Sequence, residues 1–136
     1  MIPYWKKVES DNGCIYSCDM VRLNLELKED GLKYISNYFS DINRLDVTIY
    51  PINLNTFKYR NMLTIEYELS SMTIGLCFNG TKNEDLLKGF VEFNPNKCFC
   101  EQFDKDINFL LKNCWKSELV RWDLAIDIPI KRSMLY

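Results

Sequence analysis

Hydrophobic and polar residues alternate along most of this chain, most cleanly near its C-terminal end. In residues 118 to 130, Glu-Leu-Val-Arg-Trp-Asp-Leu-Ala-Ile-Asp-Ile-Pro-Ile, the side chains of Val120, Trp122, Leu124, Ile126 and Ile128 interleave with Arg121, Asp123, Ala125 and Asp127. A period of two predicts a β-strand with one apolar and one charged face. β-branched, aromatic and leucine side chains on the apolar face suit a sheet packed on a core. The opposite face sets Arg121, Asp123 and Asp127 in one line, either a solvated surface or the floor of a site.

The same period recurs upstream. Val21, Leu23, Leu25 and Leu27 alternate with Arg22, Asn24 and Glu26, which predicts the first strand over residues 20–27. Leu45, Val47 and Ile49 predict a second strand that Pro51 closes, with a connection over residues 51–61. Leu63, Ile65, Tyr67 and Leu69, then Met72, Ile74, Leu76 and Phe78, predict a hairpin around Ser70-Ser71, which Asn79-Gly80 ends. Residues 89–94 predict a fifth strand that stops at Pro95, and Asn94-Pro95-Asn96-Lys97 predicts a chain reversal.

Helical spacing appears twice. Glu29 and Asp30 open a run with Leu32, Ile35, Phe39 and Ile42 on one face. Residues 101–115 place Phe103, Ile107, Leu110, Leu111 and Cys114 together. Glu101, Asp104 and Asp106 near the start of this second helix, and Lys112 and Lys116 at its end, complement its macrodipole, as Glu29 and Asp30 do for the first.

Residues 1–18, with Pro3 and Asp11-Asn12-Gly13, predict a loosely structured arm with a turn near Gly13. Residues 19–136 then form a single α+β domain. The order of elements predicts a mostly antiparallel sheet of about five to six strands with two helices on one face, a two-layer sandwich. Pro129 puts an edge, or the end of pairing, at about Ile128.

Composition narrows the class. A chain of 136 residues, 47 % hydrophobic and 26 % charged, suits one folded domain. A net charge of −2 argues against a strongly basic nucleic-acid clamp and leaves room for a local basic patch. The N-terminus has no apolar signal core, and no apolar run approaches the roughly 18 residues that span a bilayer. A soluble, cytoplasmic protein is expected, with cysteines 14, 18, 77, 98, 100 and 114 reduced. Cys77 is expected in an apolar strand and Cys114 in a helix, as small hydrophobes. The spacings Cys14-x3-Cys18 and Cys98-x-Cys100, with no histidine, do not match common zinc knuckles.

Without histidine there is no Ser-His-Asp or Cys-His arrangement, and neither a Walker loop nor a GxGxxG run is present. Carboxylate chemistry with a hard metal, thiol chemistry, or no chemistry remains. Glu66, Glu68, Glu92, Asp123 and Asp127 fall on polar faces of predicted strands, where solvated residues are the default for an antiparallel sheet. If the strands adjoin, oxygen-only ligands would favour Mg²⁺ or Mn²⁺. Four residues along a strand separate Asp123 and Asp127 by roughly 13 Å, so any ion held by one of them needs a second ligand from another strand, with Glu92 or Glu66 as candidates, or else a bulge. Arg22, Lys97, Lys131 and Arg132 are the cations expected to meet DNA, with tyrosine and phenylalanine rings for stacking.

Val120-Arg121-Trp122-Asp123-Leu124-Ala125-Ile126-Asp127 resembles the Arg-x-Asp-x-Ala-x-Asp strand of the plasmid and phage replication initiation factors. These are rolling-circle initiators and related conjugative relaxases that lack the paired-histidine motif. Gly89-Phe90-Val91-Glu92-Phe93-Asn94-Pro95-Asn96-Lys97, then a helix, then that strand, is similar to the arrangement in phage-borne members, and Asp19-Met20-Val21-Arg22-Leu23 is similar to the family's first strand. The likeness is best over residues 89 to 131. It implies tyrosine-dependent nicking of one DNA strand, assisted by a divalent metal. Asp123 and Asp127 would be the acidic residues and Arg121 their neighbour, with single-stranded or hairpin origin DNA as partner.

The family's nucleophilic tyrosine lies beyond this strand, and a terminal Tyr136 is poorly placed to serve as one. The chain is therefore expected to be the N-terminal half of an initiator, or a reduced relative without nicking activity. The alternative is a small non-enzymatic phage or plasmid protein that binds a protein partner through its exposed sheet face. Pairing of two copies stays open.

Overall fold

The structure, a computed structural model, describes residues 8–11, 13–51, 61–76 and 88–128. The elements in order are β1 (Val8–Glu9), β2 (Ile15–Leu27), α1 (Gly31–Phe39), β3 (Val47–Pro51), β4 (Asn61–Glu66), β5 (Ser71–Leu76), β6 (Lys88–Phe93), α2 (Pro95–Cys98), α3 (Glu101–Lys112) and β7 (Cys114–Asp127). The seven strands form one antiparallel sheet in an α+β fold. β2 is its centre: β7 pairs with one edge along residues 15–27, while β1 and β6 share the other. β5, β4 and β3 follow in turn from β6.

Alternation decides which side chains meet the helices. Val21, Leu23, Leu25 and Leu27 of β2, Leu63 and Ile65 of β4, Met72, Ile74 and Leu76 of β5, and Val91 and Phe93 of β6 form one core. Ile35 and Phe39 of α1, Cys98 of α2, and Phe103, Ile107 and Leu110 of α3 close it from above. Both longer helices therefore lie on one face, as the pattern predicts.

Several boundaries depart from the sequence expectation. β2 begins at Ile15, not Met20, because β7 pairs with it as far as Ile15 and β1 folds back on Ile15 and Tyr16. The reversal between β1 and β2 is held by Ser10 N–H donating to the Cys14 carbonyl at 2.8 Å, with Gly13 at φ 82°. That left-handed conformation is one glycine adopts without strain. The expected loose arm of residues 1–18 thus contributes to the sheet at its C-terminal end.

α1 contains no acidic residue in its first turn. Glu29 and Asp30 precede it, Asp30 makes no side-chain cap, and Ile42 lies beyond its end and is almost fully exposed. The hairpin turn takes Tyr67 to Ser70, closed by Tyr67 N–H to the Ser70 carbonyl at 2.8 Å, so Glu68 and Leu69 leave the sheet. Asn94-Pro95-Asn96-Lys97 forms a helical turn: the Asn94 side chain accepts from the N–H groups of Asn96 and Lys97. Cys114 starts β7 rather than ending a helix, and β7 begins before residue 118. Cys77, Phe78, Asn79-Gly80, Pro129, Lys131, Arg132 and Tyr136 lie outside the described residues.

Asp106 of α3 is the largest departure. The sequence sets it near the start of the helix as a complement to the macrodipole; the residue is fully buried and serves as the centre of a hydrogen-bond cluster. Its Oδ1 accepts from Tyr38 Oη at 2.9 Å, Arg44 Nη1 at 2.9 Å and Gln102 Nε2 at 2.8 Å. Its Oδ2 accepts from Arg44 Nη2 at 2.9 Å and Tyr67 Oη at 2.7 Å. Arg44 also grips Asp46 through Nε and Nη2, each at 2.9 Å. One carboxylate thus ties together α1, the segment before β3, the β4–β5 turn and α3.

Burial, then the hydrogen bond to Asp106, holds the Tyr67 hydroxyl far above the usual tyrosine range, and the same two causes raise Tyr38. Hydrogen bonding to Arg44 lowers the Asp46 carboxyl.

Removing one partner of a buried ion pair leaves an uncompensated charge, so Arg44→Ala should cost about 3–5 kcal/mol of unfolding free energy in urea titration. A loss below about 1 kcal/mol would show that the Asp106 carboxylate does not depend on Arg44. The raised tyrosines give a second test. Their stabilising effect is complete below the unfolded tyrosine pKa of about 10 and is lost as pH rises beyond it, because the unfolded chain then releases protons the folded one retains. Tyr67→Phe should lower stability at pH 7 by about 1–3 kcal/mol and flatten the decline above pH 10. A decline of unchanged steepness in Tyr67→Phe would refute this assignment.

Candidate functional site

The open face of the sheet carries Arg22, Glu66, Glu92, Arg121, Asp123 and Asp127. Residues paired across an antiparallel ladder share a face, so one row runs Arg121, Arg22, Glu92, Thr73, Thr64, Thr48 from β7 to β3. Arg22 and Arg121 are direct neighbours, and each has its own carboxylate. Arg22 Nη1 donates to Glu92 Oε1 at 2.9 Å, while Arg121 Nη2 donates to Asp123 Oδ2 at 3.0 Å. The Arg22 guanidinium also lies 4.0 Å over the Phe90 ring. Phe90 in turn covers Gly75, where any Cβ would overlap its ring. That glycine lets an aromatic side chain lie flat on the open face beneath an arginine.

The proposed ligand set does not converge. Glu66 lies on β4, four strands from β7, a lateral separation of roughly 19 Å at the usual strand spacing. Glu92 lies two strands from β7, with Arg22 between. Among the described residues, no group of three histidine, cysteine or acidic side chains is placed to hold a metal ion. Asp127 sits opposite Ile15 on the same strand as Asp123 and is exposed. Lys97 is exposed on α2.

Beyond this row, Lys116, Glu26 and Lys88 form another, beside Glu118 and Asn24. They border a shallow depression of about 230 Å³. Acidic and basic groups thus stand side by side on the β7, β2 and β6 part of this face, and threonines take over on β5, β4 and β3.

The described cysteines form no disulfide with one another. Burial pushes Cys114 up to about 12 and raises Cys98 and Cys18, so none of these three is an activated nucleophile. The Cys100 thiol accepts the Phe103 N–H at the head of α3.

The apolar side of β7 overturns an expectation. Trp122 pairs with Val21 and Leu119 with Leu23, which puts both on the helix face. The helix layer stops at β2, however. Leu119, Trp122, Leu124 and Ile126 are 50–56 % exposed, whereas Val21 is 2 % exposed. Alternation correctly grouped Trp122, Leu124 and Ile126, but the extra residue at Val120 puts Leu119 on that face in its place, and the pattern carried no sign of whether anything covers them.

Among the described residues β7 is also an edge: over its 14 residues it pairs there with β2 alone. Among the described residues, no helix is long and apolar enough to cross a membrane. Compared with family models, curated proteins and solved structures, the chain matches none of them.

Because these side chains are already in water, the double variant Trp122→Lys/Leu124→Lys should change unfolding free energy by no more than about 0.5 kcal/mol per site. A loss above about 2 kcal/mol in chemical denaturation would mean that the stripe belongs to the core.

Proposed function

We propose that this chain is a non-enzymatic interaction domain that receives a protein partner along β7. The observation that carries the reading is a long strand, paired on one side only among the described residues, whose apolar side chains are half-exposed beside the helix layer. Free backbone groups on a sheet edge accept an added strand, and the neighbouring apolar side chains supply selectivity through alternate positions. Exposed apolar patches of this kind mark interaction surfaces in folded proteins. The charged face, with each arginine matched to a carboxylate, keeps the edge soluble.

Selection of a random linear peptide library against the folded protein tests this reading. Enriched sequences should alternate apolar and polar residues and should lose binding to Trp122→Lys/Leu124→Lys. Enrichment indifferent to both substitutions would sink it.

A second reading rests on a different observation. Arg121, Asp123 and Asp127 share one exposed face beside Arg22, the arrangement that the replication-initiator resemblance implies. On that reading the domain contacts single-stranded or hairpin DNA, with Mg²⁺ or Mn²⁺ recruited in the intact assembly and the nucleophilic tyrosine supplied elsewhere. Titration of both DNA forms at two salt concentrations, with and without Mn²⁺, should then show a salt slope and a metal effect that Asp123→Ala removes. Absence of binding at low salt rules this reading out for the chain.

A further inference from the structure

Taking the docking reading of β7 as its basis, we infer that the partner is a second copy of this chain, joined β7 to β7 about a two-fold axis through Leu124. The inference rests on the pattern of side chains along the edge of β7 that no described residue pairs with. Both extra residues that β7 carries relative to β2, Trp115 and Val120, lie N-terminal to Arg121, whereas the shift at Asp19 adds its residue to β2. Residues 121–127 are therefore an uninterrupted run of β7, symmetric about Leu124.

Antiparallel pairing of this run with its own copy places Arg121 opposite the partner's Asp127, and Asp127 opposite the partner's Arg121. On the other face, Trp122 meets the partner's Ile126, and Leu124 meets the partner's Leu124. Opposite charges and apolar pairs set directly across an antiparallel ladder are the stabilising combinations. A register centred on Trp122 instead would set Ile126 against the partner's Glu118, across the extra residue at Val120.

A two-fold axis normal to the sheet keeps both helix layers on the same side. The two uncovered stripes, half-exposed in each copy, then adjoin at the seam and lose water together. The axis makes the contact isologous, so pairing closes at two copies. A run this short is smaller than the roughly 20–30 residues per side of a standard interface, so the dimer should dissociate in the micromolar range.

Sedimentation equilibrium from about 1 μM to about 1 mM reads this directly. The wild type should show monomer and dimer in exchange. Arg121→Asp and Asp127→Arg should each weaken self-association on the order of tenfold, because each creates two like-charged pairs. An equimolar mixture of the two variants should recover wild-type affinity, since their charges complement one another across the axis but not within either chain. Equal thermal melts confirm that each variant is folded, and Trp122→Lys, on the opposite face, should also yield a monomer.

A wild type that stays monomeric, or a mixture no tighter than its components, overturns the proposal. If the wild type is monomeric yet selected peptides still bind β7, only the second copy is wrong. If peptide selection also ignores β7, the docking reading falls with it.

Discussion

A single buried carboxylate organises the helix end of this domain. Asp106 is surrounded by two tyrosine hydroxyls, a glutamine amide and the two-pronged guanidinium of Arg44. An ionised group in an apolar interior is tolerated only when its lone pairs are met by donors and its charge by a counter-charge. Each donor comes with a constraint. Tyr38 fixes the C-terminal end of α1, Arg44 the irregular segment before β3, and Tyr67 the tight turn between β4 and β5. The Tyr38 ring also stacks on Phe109 at 4.1 Å, so aromatic packing and charge pairing reinforce the same junction. An apolar core alone would hold these segments with less geometric definition.

The opposite end is organised by what is missing from it. The helix layer ends over β2, and β7 continues the sheet beyond that cover. Long, apolar edge strands invite pairing, and proteins commonly blunt them with charges and bulges. β7 has both: extra residues at Trp115 and Val120, and charged side chains on the open face. These features leave the run from Arg121 to Asp127 as the one regular edge segment at its C-terminal end.

Among the described residues, the open face gathers no set of three side chains placed to hold a metal ion. Arg22 and Arg121 are adjacent, and the like charges are tolerated because Glu92 and Asp123 each neutralise one of them. Glu92 and Asp123 are engaged by these arginines, Glu66 lies several strands away, and Asp127 stands apart from Asp123 along β7.

The sequence by itself determined the kinds of element and the pairing of faces. A period of two or of 3.6 is a local property, so the strands, the helices and their apolar sides could be read from neighbouring residues. Turn chemistry was less legible: Asn94 caps a helical turn where a reversal was expected, and Tyr67 and Leu69 kept strand periodicity in a turn. Only the tertiary structure decided which apolar faces are covered. Trp122 and Val21 look alike in sequence, but the helix layer extends over one and not the other. It also decided the fate of charges. Asp106 followed the rule for a helix dipole, yet Arg44, Tyr38 and Tyr67, distant in sequence, brought it inside. The spacing between strands separated Glu66 from Asp123, a separation that depends on strand order and leaves no trace in local periodicity.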